Sequence, residues 1–346
     1  MIKSTIPARW YWDPDIYAEE RKNIFSRQWI CVGREEEISN VKQYFTASPA
    51  GFPIFVLRAK DGNLRGFHNV CRHRAAKLLC ERSGNYESLT CPYHGWQYND
   101  DGLLLNAPHF GANEDFYSQD FSLFSLQVDT WSGMIFVNMD LNGPKLLEWL
   151  GPLADAVEKT APRSIKFYRD VEFHVSCNWK NYVDNYQEGY HIPLIHPGLH
   201  QDLDWRRYNV INHDGGSLHQ SPARAKSTHP GSFGWHFPNF AFNSYHHGLS
   251  LLRIEPLSAN ETRLFYSFFR PSDMSEDDFK KIYDYGIKIS KEDQKITPMV
   301  QKNLESGVYY NGPLSPKHET GVSHFHELIR IAISRDIPPI NNNIFP

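Results

Sequence analysis

Apolar positions along the chain change period several times, and each change predicts an element. Between residues 14 and 29, Ile16, Tyr17, Ile24, Phe25 and Trp29 recur at helical spacing, which predicts a helix docked on the body of the protein. From about residue 30 to 66 the pattern becomes short apolar runs between turn residues. Trp29-Ile30-Cys31-Val32-Gly33 is one, and Ile54-Phe55-Val56-Leu57 ahead of the Asp61-Gly62 turn is another; both predict β-strands. Gly143-Pro144 and residues 152–162 mark a boundary region. Beyond it, residues 168–177 predict a strand and residues 178–196 a helix broken at Pro193. At about 100° per residue, Asn181, Asp184, Glu188 and His191 share one stripe of that helix. Trp179, Tyr182, Val183, Tyr186 and Tyr190 lie on the other side. Residues 198–250 are rich in Gly, His, Pro and aromatics without a period, and read as an irregular functional loop. Residues 249–256 and 262–269 predict strands. Ser275-Glu276-Asp277-Asp278 resembles a capping box opening a helix that runs toward Leu304, with a kink expected at Pro298.

Composition narrows the class. A chain of 346 residues suits one large or two medium domains, and nine Trp, 18 Tyr and 22 Phe supply an ample core. A formal net charge of −4 gives no reason to expect nucleic acid or an anionic membrane as partner. No apolar run is long enough for a transmembrane helix, and residues 1–17 lack the apolar stretch of a signal peptide, so a cytoplasmic protein is expected. Cysteines 31, 71, 80, 91 and 177 do not form a disulfide framework, which leaves reduced thiols as candidate metal ligands.

Cys71-Arg72-His73 is followed, after 17 residues, by Cys91-Pro92-Tyr93-His94. Each tight loop offers one thiolate and one imidazole. A tetrahedral zinc site could use the same four donors. Zinc fingers, however, pair Cys with Cys and His with His along the chain. One of each per loop suits a two-iron, two-sulfide cluster, with both Cys on one iron and both His on the other. Neutral imidazole in place of charged thiolate eases reduction, giving potentials of about −150 to +300 mV. Cys80 lies outside the spacing and reads as a packed free thiol. His191 and His196 flank Pro193, with Asp184 and Glu188 ahead of them. Alone, that set suits a metal site or the polar face of a surface helix.

The strings CRHR and CPYHGWQY, the Asp101-Gly102 turn and residues 131–138 resemble the Rieske domain of Rieske non-haem iron oxygenases, and residues 178–196 resemble that family's mononuclear iron segment. The likeness runs from about residue 10 to 330. It implies fold class α+β: a β-rich Rieske [2Fe-2S] domain over 38–145 and a helix-grip catalytic domain with an antiparallel sheet over 146–346. A helical segment, 1–37, would pack on the catalytic domain. The resemblance implies a [2Fe-2S] cluster on Cys71, His73, Cys91 and His94. It also implies a mononuclear Fe(II) on His191, His196 and a carboxylate of the C-terminal helix. Asp293 matches the family's distance from a Val-Gln pair, here Val300-Gln301; Glu292 is the alternative, and otherwise a solvated helix charge. Glu188 is implied as the acidic bridge to the cluster of a neighbouring subunit, hydrogen-bonded to a ligand His on one side and to His73 or His94 on the other, with Asp184 in support. Many relatives carry Asp there; a subset, including carnitine monooxygenase, carries Glu.

The family likeness makes the expected activity an O2-dependent hydroxylation, which becomes a dealkylation where the carbon bears nitrogen or oxygen. The chain has no G-x-G-x-x-G fingerprint and no plant-type ferredoxin cysteines, so electrons are expected from a separate NAD(P)H-dependent flavin- or ferredoxin-type reductase. The length resembles the shorter, homotrimeric type. DNYQEGYH at 184–191 and GVSHFH at 321–326 are most similar to the choline, carnitine and betaine group, which implies a small quaternary ammonium substrate. Trp205, Trp235, Phe237, Phe240, Phe242 and Tyr245 are candidates for an aromatic box, at about 0.5–2 kcal/mol per contact, although such residues also build cores. Ring hydroxylation or O-demethylation of an aromatic acid stays open. So do an iron–sulfur electron carrier without oxygenase activity and a zinc-stabilised binding module.

Overall fold

The computed structural model describes residues 3–111, 113, 115–221 and 231–333. They separate into two compact units. One holds the described residues of Phe25–Leu146, the other those of Met1–Ile24 and Leu147–Arg335.

The first unit is built from β1 (Ile30–Arg34), β2 (Gln43–Ala47), β3 (Ile54–Arg58), β4 (Leu64–His68), β5 (Ser83–Asn85), β6 (Leu89–Thr90), β7 (Gln97–Tyr98), β8 (Leu104–Asn106), β9 (Ser125–Trp131) and β10 (Met134–Asn138). Seven strands form a sheet in the order β1-β10-β9-β4-β3-β2-β5, and β6-β7-β8 form a smaller one. The apolar runs at 30–33 and 54–57 become β1 and β3. Phe55, Phe67, Leu89, Trp96 and Tyr98 share one core with Cys71 and Cys91, so apolar burial anchors both cysteine loops. Cys80, expected to be packed, is exposed. Its neighbours take the inside positions: Leu78 is buried, and Asn69 Oδ1 accepts the backbone N–H of Leu78 and Leu79.

In the second unit, α1 (Pro14–Glu20) is capped by Asp13, whose side chain accepts from Asp15 N. Two short helices, α2 (Leu146–Leu150) and α3 (Pro152–Thr160), occupy the expected boundary region. The sheet has the order β11-β17-β16-β15-β14-β13-β12, every neighbouring pair antiparallel. Its strands are β11 (Ile165–Val175), β12 (Asn209–His213), β13 (Gly216–Ser221), β14 (Gly231–His236), β15 (Phe240–Tyr245), β16 (Gly248–Pro256) and β17 (Thr262–Pro271). The segment 198–250 is therefore not an irregular loop: it supplies four of these strands, with 222–230 outside the described residues. Polar Ser217 and His219 are as buried as Trp235, Phe240 and Phe242, so no solvated face marks a period of two.

The predicted helix at 178–196 is also shorter than expected. Asn178 caps α4 (Trp179–Tyr186), and Glu188 and His191 stand in the turn beyond it rather than on its stripe. Gly189 allows this turn, because a Cβ there would lie 2.9 Å from the Tyr208 ring. The chain continues as α5 (Ile192–Ile195) and α6 (Pro197–Asp202), with Pro193 in the first turn of α5, where a missing N–H costs nothing. Ser275 caps α7 (Glu276–Glu305), with Glu276, Asp277 and Asp278 at its positive end. The helix continues through Pro298, and Thr297 Oγ1 donates to the Asp293 carbonyl at 3.1 Å. α7 packs against α4, β11 and β17, and α8 (Thr320–Ile333) packs against β12. Among the described residues no helix is long and apolar enough to cross a membrane.

Candidate active site

The turn after α4 meets the middle of α7. His191 Nε2 lies 3.1 Å from His196 Nε2, and Asp293 Oδ1 lies 2.9 Å from the latter and 3.8 Å from the former. Among the described residues this is the only group of three or more candidate ligands whose donor atoms all lie within 4.8 Å of one another. Lone pairs this close repel unless a proton or a metal cation stands among them. Two imidazoles and one carboxylate suit iron(II) with coordination positions left open. Burial opposes a proton on His196, but the Asp293 and Glu292 carboxylates together outweigh it and raise its pKa. The donor set attracts positive charge.

Each ring's second nitrogen is held by another carboxylate. His191 Nδ1 lies 2.5 Å from Glu188 Oε1, while Glu188 Oε2 accepts the backbone N–H of Tyr190 and His191. His196 Nδ1 lies 2.8 Å from Glu292 Oε2. A carboxylate on Nδ1–H leaves the Nε2 lone pair free for a metal. Asn185 Nδ2 donates to Asp293 Oδ1 at 2.8 Å. Glu292 is thus neither a solvated helix charge nor one of the converging donors. Consecutive residues of α7 engage the two nitrogens of one ring. Asp184, expected to support Glu188, is engaged elsewhere: it accepts from Tyr11 Oη at 2.5 Å and pairs with His326 Nε2 at 2.8 Å.

Beside the converging donors lies a cavity of about 160 Å³, close to the size that takes one benzene-sized molecule. Tyr186, Tyr208, Phe233, Tyr245, Tyr266 and Phe268 line it. Of the six aromatic candidates only Tyr245 is among the lining residues. Alternation along β15 sends Asn243 and Tyr245 to the cavity and Phe240 and Phe242 to the other face, and Trp235 packs on Phe325 of α8 at 5.2 Å between ring centroids. Phe237 is buried outside the lining set, and the Trp205 ring lies 5.8 Å from that of His318. The hydroxyl groups of Tyr182, Tyr186, Tyr208 and Tyr266 are engaged by protein. Tyr186 Oη donates to the Phe242 carbonyl at 2.8 Å, and Tyr208 Oη meets His219 Nδ1 at 2.7 Å. Burial lowers the His219 pKa to about 3, so this ring is neutral; its Nε2 faces Ser217 Oγ and Gln187 Oε1, with Ser217 donating to Gln187, which leaves Nδ1 as the acceptor. No Lys or Arg lines the cavity among the described residues; Glu188 and Asp293 do.

The cysteine loops of the first unit repeat one backbone pattern. Cys71 N donates to Ala76 O at 2.8 Å and Ala75 N to Cys71 O at 3.0 Å; Cys91 N donates to Trp96 O at 2.8 Å and Gly95 N to Cys91 O at 3.0 Å. Ala75 and Gly95, equivalent in this repeat, both have positive φ, 57° and 73°. Burial raises the Cys91 pKa, the backbone N–H groups of Tyr93 and His94 pull it down, and nearby Cys71 raises it further. Tyr98 Oη lies 3.3 Å from Cys71 Sγ. The His73 and His94 rings are 4.6 Å apart, and His73 Nδ1 is buried without a hydrogen-bond partner. Thiol therefore neighbours thiol and imidazole neighbours imidazole, without the convergence on one point that a single zinc ion needs. That donor set fits a cluster with one iron on the sulfurs and one on the nitrogens.

Comparison with known proteins gives concordant matches. A Rieske [2Fe-2S] domain model matches residues 28–125, and the ring hydroxylating alpha subunit (catalytic domain) model matches 162–235 and 218–334. Chloroplastic choline monooxygenase of Beta vulgaris is 32% identical over 339 residues, covering 93% of this chain and 75% of that protein. The carnitine monooxygenase oxygenase subunit of Escherichia coli (strain K12) is 28% identical over 351 residues, covering 94% and 92%. The solved structure of a quaternary ammonium Rieske monooxygenase, described in terms of carnitine oxidation and inter-subunit electron transfer, superposes with a TM-score of 0.83 at 28% identity over 95% of each chain.

Proposed function

Because the chain belongs to the Rieske-type ring-hydroxylating oxygenase family, we propose that it is the oxygenase component of a multicomponent system that hydroxylates or N-dealkylates a small quaternary ammonium compound. Membership makes it an oxidoreductase with a Rieske [2Fe-2S] cluster, a mononuclear iron and a small-molecule substrate. The observation that carries the substrate reading is the cavity: aromatic walls, the Glu188 and Asp293 carboxylates, and no Lys or Arg among its described lining residues. Aromatic faces stabilise a cation. An aromatic acid would bring a third carboxylate to a cavity without Lys or Arg among its described lining residues, where an Fe(II) would only balance the two carboxylates already there, and burying it is costly. The names of the choline and carnitine monooxygenase relatives support the same reading.

In this reading Cys71, His73, Cys91 and His94 hold the cluster, and His191, His196 and Asp293 hold the iron. When bound, the iron supplies oxygen activation and the cluster supplies single electrons. The chain's own side chains do the rest. Glu188 and Glu292 keep a proton on each Nδ1 and fix the two rings, the aromatic walls hold the cation, and the small cavity limits water. One oxygen atom goes to the substrate carbon; the other leaves as water with two electrons and two protons. A hydroxyl on an N-bound carbon then breaks the C–N bond, giving an amine and a carbonyl compound.

Electrons would come from a separate flavin- or ferredoxin-type reductase. Glu188 would link the iron site to the cluster of a neighbouring subunit in a homotrimer, a role in keeping with the inter-subunit electron transfer described for the solved relative. A cytoplasmic setting suits the five cysteines, none of which is in a disulfide. The convergence of His191, His196 and Asp293 weighs against a pure electron carrier.

Anaerobic purification with iron, sulfide and zinc analysis tests this, followed by NADH-driven turnover with a surrogate reductase on choline, carnitine, betaine and aromatic acids. About three irons and two sulfides per chain, with O2 uptake on a quaternary ammonium compound, are expected. Zinc without sulfide, or turnover confined to aromatic acids, would overturn the proposal.

A further inference from the structure

The cavity wall contains a polar pair, Asn243 and Ser250, that plays no part in the donor networks at His191 and His196. Asn243 on β15 and Ser250 on β16 are register partners, and both line the cavity. Asn243 Nδ2 donates to Ser250 Oγ at 3.1 Å, and Asn243 Oδ1 lies 3.0 Å from Tyr186 Oη. Ser250 is 8% exposed, and its own hydroxyl hydrogen has no acceptor among the described residues. A buried hydroxyl with an unused hydrogen, held in place by an amide, is a donor waiting for an acceptor. Among the other polar lining groups, Asn185 is held by Asp293, and Tyr182, Tyr266 and Ser290 bond one another.

We infer that Ser250, positioned by Asn243, recognises the second functional group of the substrate, and that this group is a neutral hydroxyl rather than a carboxylate. The inference rests on the quaternary ammonium reading above and narrows it to amino alcohols. One neutral donor satisfies an alcohol oxygen. A carboxylate needs several donors or a cation once desolvated; the described lining offers no Lys or Arg, and an Fe(II) on His191, His196 and Asp293 would only balance the Asp293 and Glu188 carboxylates. The pair thus separates a cationic alcohol from a zwitterion of similar size.

The test is equilibrium binding by calorimetry to the purified protein, with choline, tetramethylammonium and glycine betaine as probes, on the wild type, Ser250→Ala and Ser250→Thr. The wild type is expected to bind choline more tightly than glycine betaine. Ser250→Ala should weaken choline about fivefold, the worth of one neutral hydrogen bond, and leave tetramethylammonium within about twofold. Ser250→Thr, which keeps the hydroxyl, should restore choline binding. Glycine betaine bound as tightly as choline would overturn this inference alone, as would equal losses for choline and tetramethylammonium. Failure of all three compounds to bind would overturn it together with the quaternary ammonium reading.

Discussion

His196 is gripped at both ring nitrogens by consecutive residues of one helix. Asp293 lies 2.9 Å from Nε2 and Glu292 lies 2.8 Å from Nδ1. The Nδ1 contact orients a candidate ligand and sets its tautomer. Glu292→Ala, which removes the acceptor altogether, is therefore expected to weaken Fe(II) affinity roughly tenfold or more while the fold persists. Competition against a chelator of known affinity measures this. An unchanged affinity would show the contact to be incidental.

Glu188 serves the other ring. It accepts from His191 Nδ1 and from two backbone N–H groups of its own turn. Glu188→Gln keeps an acceptor there but loses the charge. Both metal centres should remain loaded while electron transfer between them stops. Rapid mixing of cluster-reduced protein with substrate and O2 would show the cluster staying reduced. Loss of iron, or a normal rate, would refute the bridging role.

Lys180 and Glu20 form an ion pair with no exposure on either side chain, Nζ to Oε1 2.5 Å, and Trp179 Nε1 donates to the second oxygen at 2.8 Å. Removing one member strands a buried charge. Glu20→Ala is expected to cost about 3–5 kcal/mol, whereas replacing both members with apolar residues of similar volume should recover most of it. Urea denaturation of the single and double variants measures both effects, and a single-variant loss below about 1 kcal/mol would contradict the burial argument.

Tyr98 Oη lies 3.3 Å from Cys71 Sγ. A hydrogen bond to a cluster sulfur favours the reduced state, so Tyr98→Phe should move the potential negative, on the order of tens of millivolts. Protein-film voltammetry reads this directly; a potential that holds or rises would exclude the bond.

Burial holds His219 at a pKa of about 3, against about 6.5 in an unfolded chain. The folded state therefore binds fewer protons in that interval. Its contribution is complete above about pH 6.5 and declines as pH falls toward 3, by about 1.4 kcal/mol per unit. Denaturation between pH 7 and 5 should show a shallower decline for His219→Gln than for the wild type, since the other titrating groups cancel in the difference. Parallel curves would mean that His219 is charged or solvated in the fold.

What could be read from the residues alone was what local chemistry specifies. Ser275 announced the start of α7, and the two cysteine loops declared their donors through type and spacing. Strands β16 and β17 emerge within two residues of their apolar runs. The misreadings have one physical origin: partners distant in sequence. Helical periodicity persists past Tyr186, but contact with Tyr208 makes the chain turn at Gly189. β13–β15 hide their alternation because both faces are covered. Glu292 resembles any charged helix residue until His196 is brought beside it. Five of the six proposed cavity aromatics do not line the cavity, because composition does not say which face of a strand looks inward.

His196 and Glu292 are 96 positions apart in the chain, and the whole antiparallel sheet except β11 is strung between them. An ion shared by His196 and Asp293 would therefore close a long loop in the folded chain and leave on unfolding, so that its binding free energy would add to the stability of the fold. Metal supply would then set the lifetime of this unit against proteolysis, so the abundance of the protein in a cell would follow iron even where its transcript does not.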